Sequence, residues 1–160
     1  MKIIKPNIKG IEKAAKEIIN GEIVFIPTDT VYGIAASPYK EDAVNKIFSI
    51  KKKPALKISK LYSSADNSIG VRVPAHDIPK QIIKKCNFPI FCTSANISGK
   101  KSQTTVKGIK ENFKNKKITI INGGATKLEK DSTVIDVTKN TINILREGCI
   151  NKKKLNQFIQ

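Results

Sequence analysis

Apolar residues recur along the chain with two alternating periods. Near the N-terminus they follow the 3.6-residue period of a helix, at Ile8, Ile11, Ala14, Ala15, Ile18 and Ile19. Asn20 and Gly21 then form a typical helix end. The next apolar run, EIVFIP at 22–27, is short, β-branched and aromatic, which favours a buried strand. The first 27 residues therefore predict a helix followed by a strand.

The same alternation continues to the C-terminus. Helical spacing marks 43–50, 78–83 and 105–113, and strands are predicted at SIGVRVP (68–74), IFCT (90–93), KITIIN (117–122), STVIDV (132–137) and INILRE (142–147). Such alternation is typical of an α/β protein, here one domain over 1–160. We expect one twisted, mixed sheet with helices packed on it, because the closing strands lie too near each other for helical crossovers.

The chain is strongly basic. Thirty Lys and Arg face thirteen Asp and Glu, a net charge of +17, and a hydrophobic fraction of 39% is that of an ordinary globular domain. Such a surface attracts polyanions such as nucleic acid or nucleotides. Because Arg72 and Arg146 are the only arginines, the other basic residues are all lysines. With Ile and Asn also abundant, A/T-rich codon usage alone is an alternative explanation of the charge.

Several classes of protein are not expected. Cys86, Cys92 and Cys149 form no CxxC pair and have only His76 to share a metal, so structural zinc is improbable and a reducing cytoplasm is expected. His76 itself is expected to be a solvated helix cap. The N-terminus has no signal-peptide pattern, and no apolar stretch approaches the length of a membrane span. We therefore expect a cytoplasmic protein without a membrane partner.

Polar residues cluster where predicted strands end. The clusters are Thr28 to Thr30, Thr93 to Asn96, Ser132 with Thr133, and Arg146. Ligands of open α/β sheets bind beyond strand ends, so these side chains predict a pocket. The alternative is that each cluster only caps a helix or closes a turn, since Thr, Ser and Asn are common at such places.

The lysine run after the second helix also has two interpretations. Lys51 to Lys53 suit the negative end of a helix dipole. Together with Lys57, they are also able to clamp a triphosphate. The sequence has no GxxxxGK[ST], GxGxxG or GxSxG motif. A bound nucleotide would thus be held by side-chain cations and hydroxyls rather than by a glycine-rich loop.

Six motifs occur in the order and character of one known family. They are PTDTVYGIAA, KKKP, GVRVPAH, CTSANISGKKSQTT, STVIDV and ILREG. The chain resembles the YrdC/TsaC family of threonylcarbamoyl-AMP synthases. The resemblance implies a YrdC-like α/β fold and a cytoplasmic nucleotidyltransferase that joins L-threonine, bicarbonate or CO₂, and ATP into threonylcarbamoyl-AMP and pyrophosphate. It also implies tRNA and a threonylcarbamoyl-transferase machinery as partners.

The resemblance carries the family's site residues onto matching positions. The threonine-binding set is Thr30, Arg72, Cys92 and Ser132, and the ATP-binding set is Lys51, Lys53, Lys57, Ser68, Ser94, Asn96, Ser102 and Arg146. Mg²⁺ is expected with ATP, carried mostly by the phosphates, and no side chain is identified as its ligand. Asp29 lies inside the first motif and receives no ligand of its own.

The sequence departs from the family at two places. Lys53 stands where an arginine is usual, which removes a planar fork for phosphate oxygens. The segment 54–67 replaces a longer one, and either the protein is naturally shortened or this chain omits a segment. A shortened pocket makes a noncatalytic module that binds tRNA or double-stranded RNA the alternative function. A third candidate, the carbamoyl-adenylate domain of a hydrogenase-maturation protein, needs zinc-finger and acylphosphatase regions that we do not expect here.

Overall fold

The computed structural model describes residues 1–53, 68–139 and 141–158. Its strands are β1 (Lys2–Ile4), β2 (Val24–Ile26), β3 (Gly33–Ala36), β4 (Phe91–Ser94), β5 (Thr119–Ile121), β6 (Val134–Asp136) and β7 (Asn143–Arg146). Its helices are α1 (Ile8–Ile19), α2 (Glu41–Ile50), α3 (Asp77–Cys86), α4 (Val106–Asn112) and α5 (Lys152–Leu155). The predicted shortening at 54–67 and Lys57 lie outside the described residues.

Five strands form one mixed sheet in the order β1-β5-β2-β3-β4. Strand β5 pairs in parallel with β1 and β2, whereas β3 pairs antiparallel with β2 and β4. The α/β class and the mixed sheet are therefore as predicted. The expectation that all strands share one sheet was wrong, because β6 and β7 pair only with each other, as a separate antiparallel ribbon in the described structure.

The sheet is covered by helices on both faces. Val24, Ile26, Ala35 and Ile121 pack with α1 and α3, and their sequence neighbours Phe25, Ile34, Ala36 and Ile120 pack with α2 and α4. Successive strand residues point to opposite faces, so a strand covered on both sides is apolar at every position. This is why EIVFIP is a continuous apolar run instead of an alternating one.

Segment 68–74 is not a strand, contrary to the prediction. Ile69, Val71 and Val73 are 59, 82 and 86% exposed, and no backbone hydrogen bond joins 69–74 to other described backbone. Alternating apolar residues favour a strand only where a neighbouring strand supplies a hydrogen-bond ladder. Strands β1 and β3 and helix α5 were not predicted. These elements are only three or four residues long, and their structure depends on long-range pairing or capping.

Helix starts follow local capping rules. Asn7 caps α1 by accepting from the Gly10 N–H, and Thr105 caps α4 by accepting from the Gly108 N–H. His76 caps α3, because its Nδ1 accepts from the Ile78 N–H at 3.2 Å, which confirms the predicted cap, although the ring is half-buried. Burial lowers the pKa of His76 below its ordinary value, against the opposing effects of Asp29 and Asp77. None of the described helices is long and apolar enough to cross a membrane.

The core packing predicts a large difference between two isoleucines on strands. Ile34 is fully buried on an inner strand of the sheet, whereas Ile3 on the edge strand is 44% exposed. Ile34→Ala should lower the free energy of unfolding by about 2–5 kcal/mol. The control Ile3→Ala should change it by under about 1 kcal/mol. Urea denaturation of both variants checks this, and equal losses would contradict the described core.

Candidate active site at the strand ends

A cavity of about 340 Å³ opens where three strands end. Ile26 pairs with Gly33, and Gly33 pairs with Ser94, so the ends of β2 and β4 and the start of β3 lie in one row. Apolar residues of α3 close one side, and polar groups from the loops close the other; those polar residues are Thr28, Arg72, Thr93, Ser94, Asp131, Ser132 and Arg146. The strand-end clusters predicted from the sequence therefore meet at a pocket.

Arg72 joins three of the predicted or neighbouring residues. Its Nη1 donates to Thr30 Oγ1 at 2.9 Å and to Ser132 Oγ at 2.7 Å. Its Nη2 forms an ion pair with Asp29 Oδ1 at 2.6 Å. The structure thus brings together Thr30, Arg72 and Ser132, as predicted for the threonine side. Asp29 was missed, because nothing in the local sequence links it to an arginine so far along the chain.

The threonines of the first motif have ordered hydroxyl hydrogens. Thr28 Oγ1 donates its single hydrogen to the Val31 carbonyl at 2.6 Å. In its 3.1 Å contact with Thr30 Oγ1, Thr28 is therefore the acceptor and Thr30 the donor. Thr30 in turn accepts from Arg72, and it is only 1% exposed. Its hydroxyl lies behind Arg72, and direct contact with a ligand stays a prediction.

Ser132 lies between the two arginines of the chain. Arg72 binds its hydroxyl, and Arg146 donates from Nη2 and Nε to its carbonyl at 2.8 and 3.2 Å. The segment is tied to the loop after β7, since the Gly148 and Ile150 N–H groups each donate to Thr133 Oγ1 at 3.0 Å. A Cβ on Gly148 would lie 2.2 Å from the Asp131 carbonyl, so only glycine allows this close approach.

Cys92 lines the same cavity from β4. Its residue pairs with Ala35 across the β3–β4 ladder, and burial of the thiol raises the pKa of Cys92 to about 11. A Cβ on Gly33 would lie 2.5 Å from Cys92 Sγ, so the glycine of the first motif makes room for this side chain. The contribution of Cys92 to threonine binding stays a prediction.

The ammonium group of Lys51 is bound by other protein groups and is not left free for a phosphate. Its Nζ donates to the Ser94 carbonyl, the Asn96 carbonyl and Asn96 Oδ1 at 2.5, 3.0 and 2.8 Å, and the residue is only 6% exposed. All three ammonium hydrogens are therefore used by the loop after β4. Burial lowers the pKa of Lys51 to about 8, and the charge of Lys53 acts in the same direction.

Of the other residues predicted to bind ATP, some lie at the cavity and others do not. Ser94 lines the cavity and donates to Asn96 Oδ1 at 2.8 Å, so Asn96 connects Ser94 with Lys51. Ser102 is buried, and it donates to Asp131 Oδ1 at 2.9 Å. Lys53 is exposed, and neither it nor Ser68 lines the cavity. Asp131 does line the cavity, and its position directly before Ser132 was the available sequence signal.

Family comparison agrees with the fold and the motifs. The Sua5/YciO/YrdC family model, described as telomere recombination, matches residues 16–57 and 53–148. The threonylcarbamoyl-AMP synthase of Pyrococcus abyssi is 30% identical over 193 residues, which cover 93% of this chain and 57% of the relative. A Methanocaldococcus jannaschii relative, provisionally named for the same activity, is 32% identical over 92% of this chain and 89% of its own length. The Bacillus subtilis threonylcarbamoyl-AMP synthase is 25% identical, and 58% of it is covered.

Comparison with solved structures also finds members of this family. A crystal structure of P. abyssi Sua5 complexed with L-threonine has a TM-score of 0.87 and 28% identity, over 99% of this chain and 60% of that one. Escherichia coli YciO, at 21% identity, shows the fold alone, with a TM-score of 0.79 over 96% of this chain and 97% of that one. The chain spans little more than half of the P. abyssi and B. subtilis relatives. The motif order, the sheet and the family match together show that this chain belongs to the Sua5/YciO/YrdC family.

Proposed function

We propose that this protein is an L-threonylcarbamoyladenylate synthase. It would join L-threonine, bicarbonate or CO₂, and ATP into threonylcarbamoyl-AMP and release pyrophosphate. The observation that carries the proposal is the convergence of Arg72, Ser94, Ser132 and Arg146 on one cavity in a chain whose relatives are named for this activity. A volume of about 340 Å³ is at the small end of ligand pockets, which span about 300–1,000 Å³.

The amino-acid end of the cavity suits a carboxylate. The Arg72 guanidinium is a planar donor that binds carboxylates well. The Ser132 hydroxyl accepts from Arg72, and its own hydrogen has no acceptor among the described residues. That hydrogen is available to a second substrate oxygen. L-Threonine in the P. abyssi structure supports the assignment of this end to threonine.

The nucleotide end suits phosphate. Arg146 and Ser94 line the cavity on this side, and Lys51 holds the loop that carries Ser94 and Asn96. Carboxylated threonine would attack the α-phosphorus of ATP through a carboxylate oxygen while the bond to pyrophosphate breaks. Both reactants are anions, so neutralising charge and holding them together lowers the barrier. An anionic nucleophile needs no general base.

Mg²⁺ would accompany ATP and neutralise phosphate charge. The described residues contain no group of three or more His, Cys, Asp or Glu side chains able to hold a metal alone. Asp131 is the one carboxylate that the described part of the chain places in the cavity wall. One carboxylate with substrate phosphates is a donor set that suits Mg²⁺, so Asp131 is the residue that would contact it.

The product would serve the modification of tRNA. Threonylcarbamoyl-AMP is a mixed anhydride that a transferase is able to pass to an adenosine beside the anticodon. We place the protein in the cytoplasm, with tRNA and that transferase machinery as partners. The names of the relatives support the product, threonylcarbamoyl-AMP, from which these partners are inferred.

A second candidate function is a noncatalytic RNA-binding module. Four exposed lysines surround a shallow depression of about 470 Å³ beside Met1; they are Lys110, Lys114, Lys116 and Lys117. Within the described ranges none of them lies within 4.0 Å of a carboxylate oxygen. Unpaired lysines on one face attract a phosphate backbone. This observation favours RNA binding at a surface separate from the cavity.

The synthase proposal predicts pyrophosphate release that requires ATP, threonine and bicarbonate together. Arg146→Ala should raise the KM for ATP by about tenfold or more and change the KM for threonine less, because a charge-assisted contact is lost. Lys84→Ala on the exposed face of α3 is the control and should match the wild type. No pyrophosphate from the wild-type chain with all three substrates would overturn the proposal.

Lys51 predicts a pH dependence. As pH rises through about 8, Lys51 loses its proton and the loop after β4 loses a donor, so kcat/KM for ATP should fall about tenfold between pH 7 and 9. The effect on stability has the opposite sign. The pKa of Lys51 in the folded chain, about 8, is lower than its ordinary value in the unfolded chain. Between these two values the unfolded chain binds more protons, so the free energy of unfolding rises with pH. Thermal melts at each pH separate the two effects. Lys51→Arg, which stays charged, should remove the fall, and an unchanged profile would contradict this role.

The RNA-binding candidate predicts a salt-dependent interaction. Changing Lys110, Lys114, Lys116 and Lys117 to Gln should weaken tRNA binding and reduce the slope of log K against log salt by about 3–4. The control changes Lys5, Lys9, Lys16 and Lys84, which are also exposed, to Gln. Equal losses in both variants would indicate attraction to net charge alone. Tight tRNA binding without any threonine or ATP binding would favour this candidate over the synthase.

A further inference from the structure

Asp29 links three separate segments beside the cavity. Its carboxylate pairs with Arg72 Nη2 at 2.6 Å and accepts from the Ala75 N–H at 3.3 Å. Its carbonyl accepts from the Leu128 N–H at 3.1 Å. Asp29 does not line the cavity itself. Its contacts therefore act on the placement of other residues.

Arg72 depends on such contacts because its own backbone is weakly held. Among the described residues, no backbone hydrogen bond joins 69–74 to other backbone, and Val71 and Val73 on either side are more than four-fifths exposed. Within the described ranges, the guanidinium itself is held only by side chains. Its described partners are Asp29, Thr30 and Ser132.

Of these three partners, only Asp29 is charged. The guanidinium makes all three hydrogen bonds charge-assisted, but only the Asp29 pair adds attraction between two opposite charges, so the carboxylate contributes most to the orientation. With Nη2 bound to Asp29, Nη1 faces Thr30 and Ser132, which is the amino-acid end of the cavity. The Arg72 side chain is 38% exposed, so without Asp29 it is free to turn toward solvent.

We propose that Asp29 is a positioning residue that holds the Arg72 guanidinium at the amino-acid end of the cavity. Threonine affinity then depends on a carboxylate that does not contact the substrate. The inference rests on the proposed function, because it takes the threonine carboxylate as the group that Arg72 binds. It assigns a role to a residue of PTDT to which the sequence gave no ligand.

If only the charge of Asp29 mattered, its removal would be expected to strengthen threonine binding. Asp29 partly neutralises Arg72, so its removal leaves a more positive site that attracts a carboxylate more strongly. If orientation dominates, removal weakens threonine binding. If neutralisation dominates, removal tightens it. The sign of the change therefore decides between the two effects.

The test is calorimetric titration of L-threonine, and separately of ATP, into the full chain. Asp29→Asn keeps the shape and an acceptor oxygen, whereas Asp29→Ala removes both. We expect the threonine Kd to rise about tenfold in Asp29→Ala and less in Asp29→Asn, because a guanidinium that is not held in place has to be ordered when the ligand binds. The ATP Kd should change by less than about twofold. The control is Glu12→Gln, which removes the charge from a surface ion pair of 2.8 Å with Lys85 and should leave both Kd values unchanged.

A double-mutant cycle shows whether Asp29 acts through Arg72. Once Arg72→Ala is present, adding Asp29→Ala should have no further effect on the threonine Kd. A merely structural loss would add to the effect of Arg72→Ala and would lower the affinity for ATP as well. Additive losses, tighter threonine binding, or no change in either Asp29 variant would overturn the inference.

The titration of the wild-type chain tests the proposed function separately from the role of Asp29. If the wild-type chain binds no L-threonine, the proposed function is wrong. The positioning role is then decided by a crystal structure of Asp29→Ala, which lacks the acceptor for Arg72 Nη2. An Arg72 guanidinium that leaves Thr30 and Ser132 supports the role, and one that stays on both hydroxyls overturns it.

Discussion

The pairing of β3 between β2 and β4 is the constraint on which the pocket depends. It places Ile26, Gly33 and Ser94 in one row, so that the loops after β2 and β4 face each other. The row closes this tightly because Gly33 has no Cβ to meet Cys92 Sγ. Helices on both faces hold the three strands in place. The cavity is thus a consequence of strand register and one missing side chain.

The polar groups around the cavity are held in position by protein contacts. Arg72, Lys51 and Ser132 each have partners on other segments, and the hydrogens of Thr28 and Thr30 are ordered by a single chain of donors. A binding group that is already oriented loses less freedom when a ligand arrives. The chain has a net charge of +17, so positively charged side chains are abundant. What limits binding is the orientation of those side chains at the cavity. The carboxylate of Asp29 supplies such an orientation, because it pairs with Arg72 beside the cavity.

Ser132 connects the two ends of the cavity. Its hydroxyl belongs to the Arg72 side and its carbonyl to the Arg146 side, and the ribbon of β6 and β7 carries both Ser132 and Arg146 to the sheet. A two-stranded ribbon is marginal by itself. The contacts of Thr133 and the close approach at Gly148 attach it to the loop that follows β7. A single short segment therefore couples the positions of both arginines.

By itself the sequence determined the helices α1 to α4, the strands β2, β4 and β5, the hairpin of β6 and β7, and the motifs of the pocket, because periodicity, caps and strand-end polar clusters are local signals. The tertiary structure alone decided that 68–74 has no strand partner in the described part of the chain, that β6 and β7 pair apart from the main sheet, and that the small residues of β3 form one of its inner strands. It also decided that Lys51 turns inward, that Thr30 lies behind Arg72, and that Asp29 pairs with Arg72. Each of these depends on a hydrogen bond or ion pair between distant segments, and no local pattern specifies which distant group will be the partner.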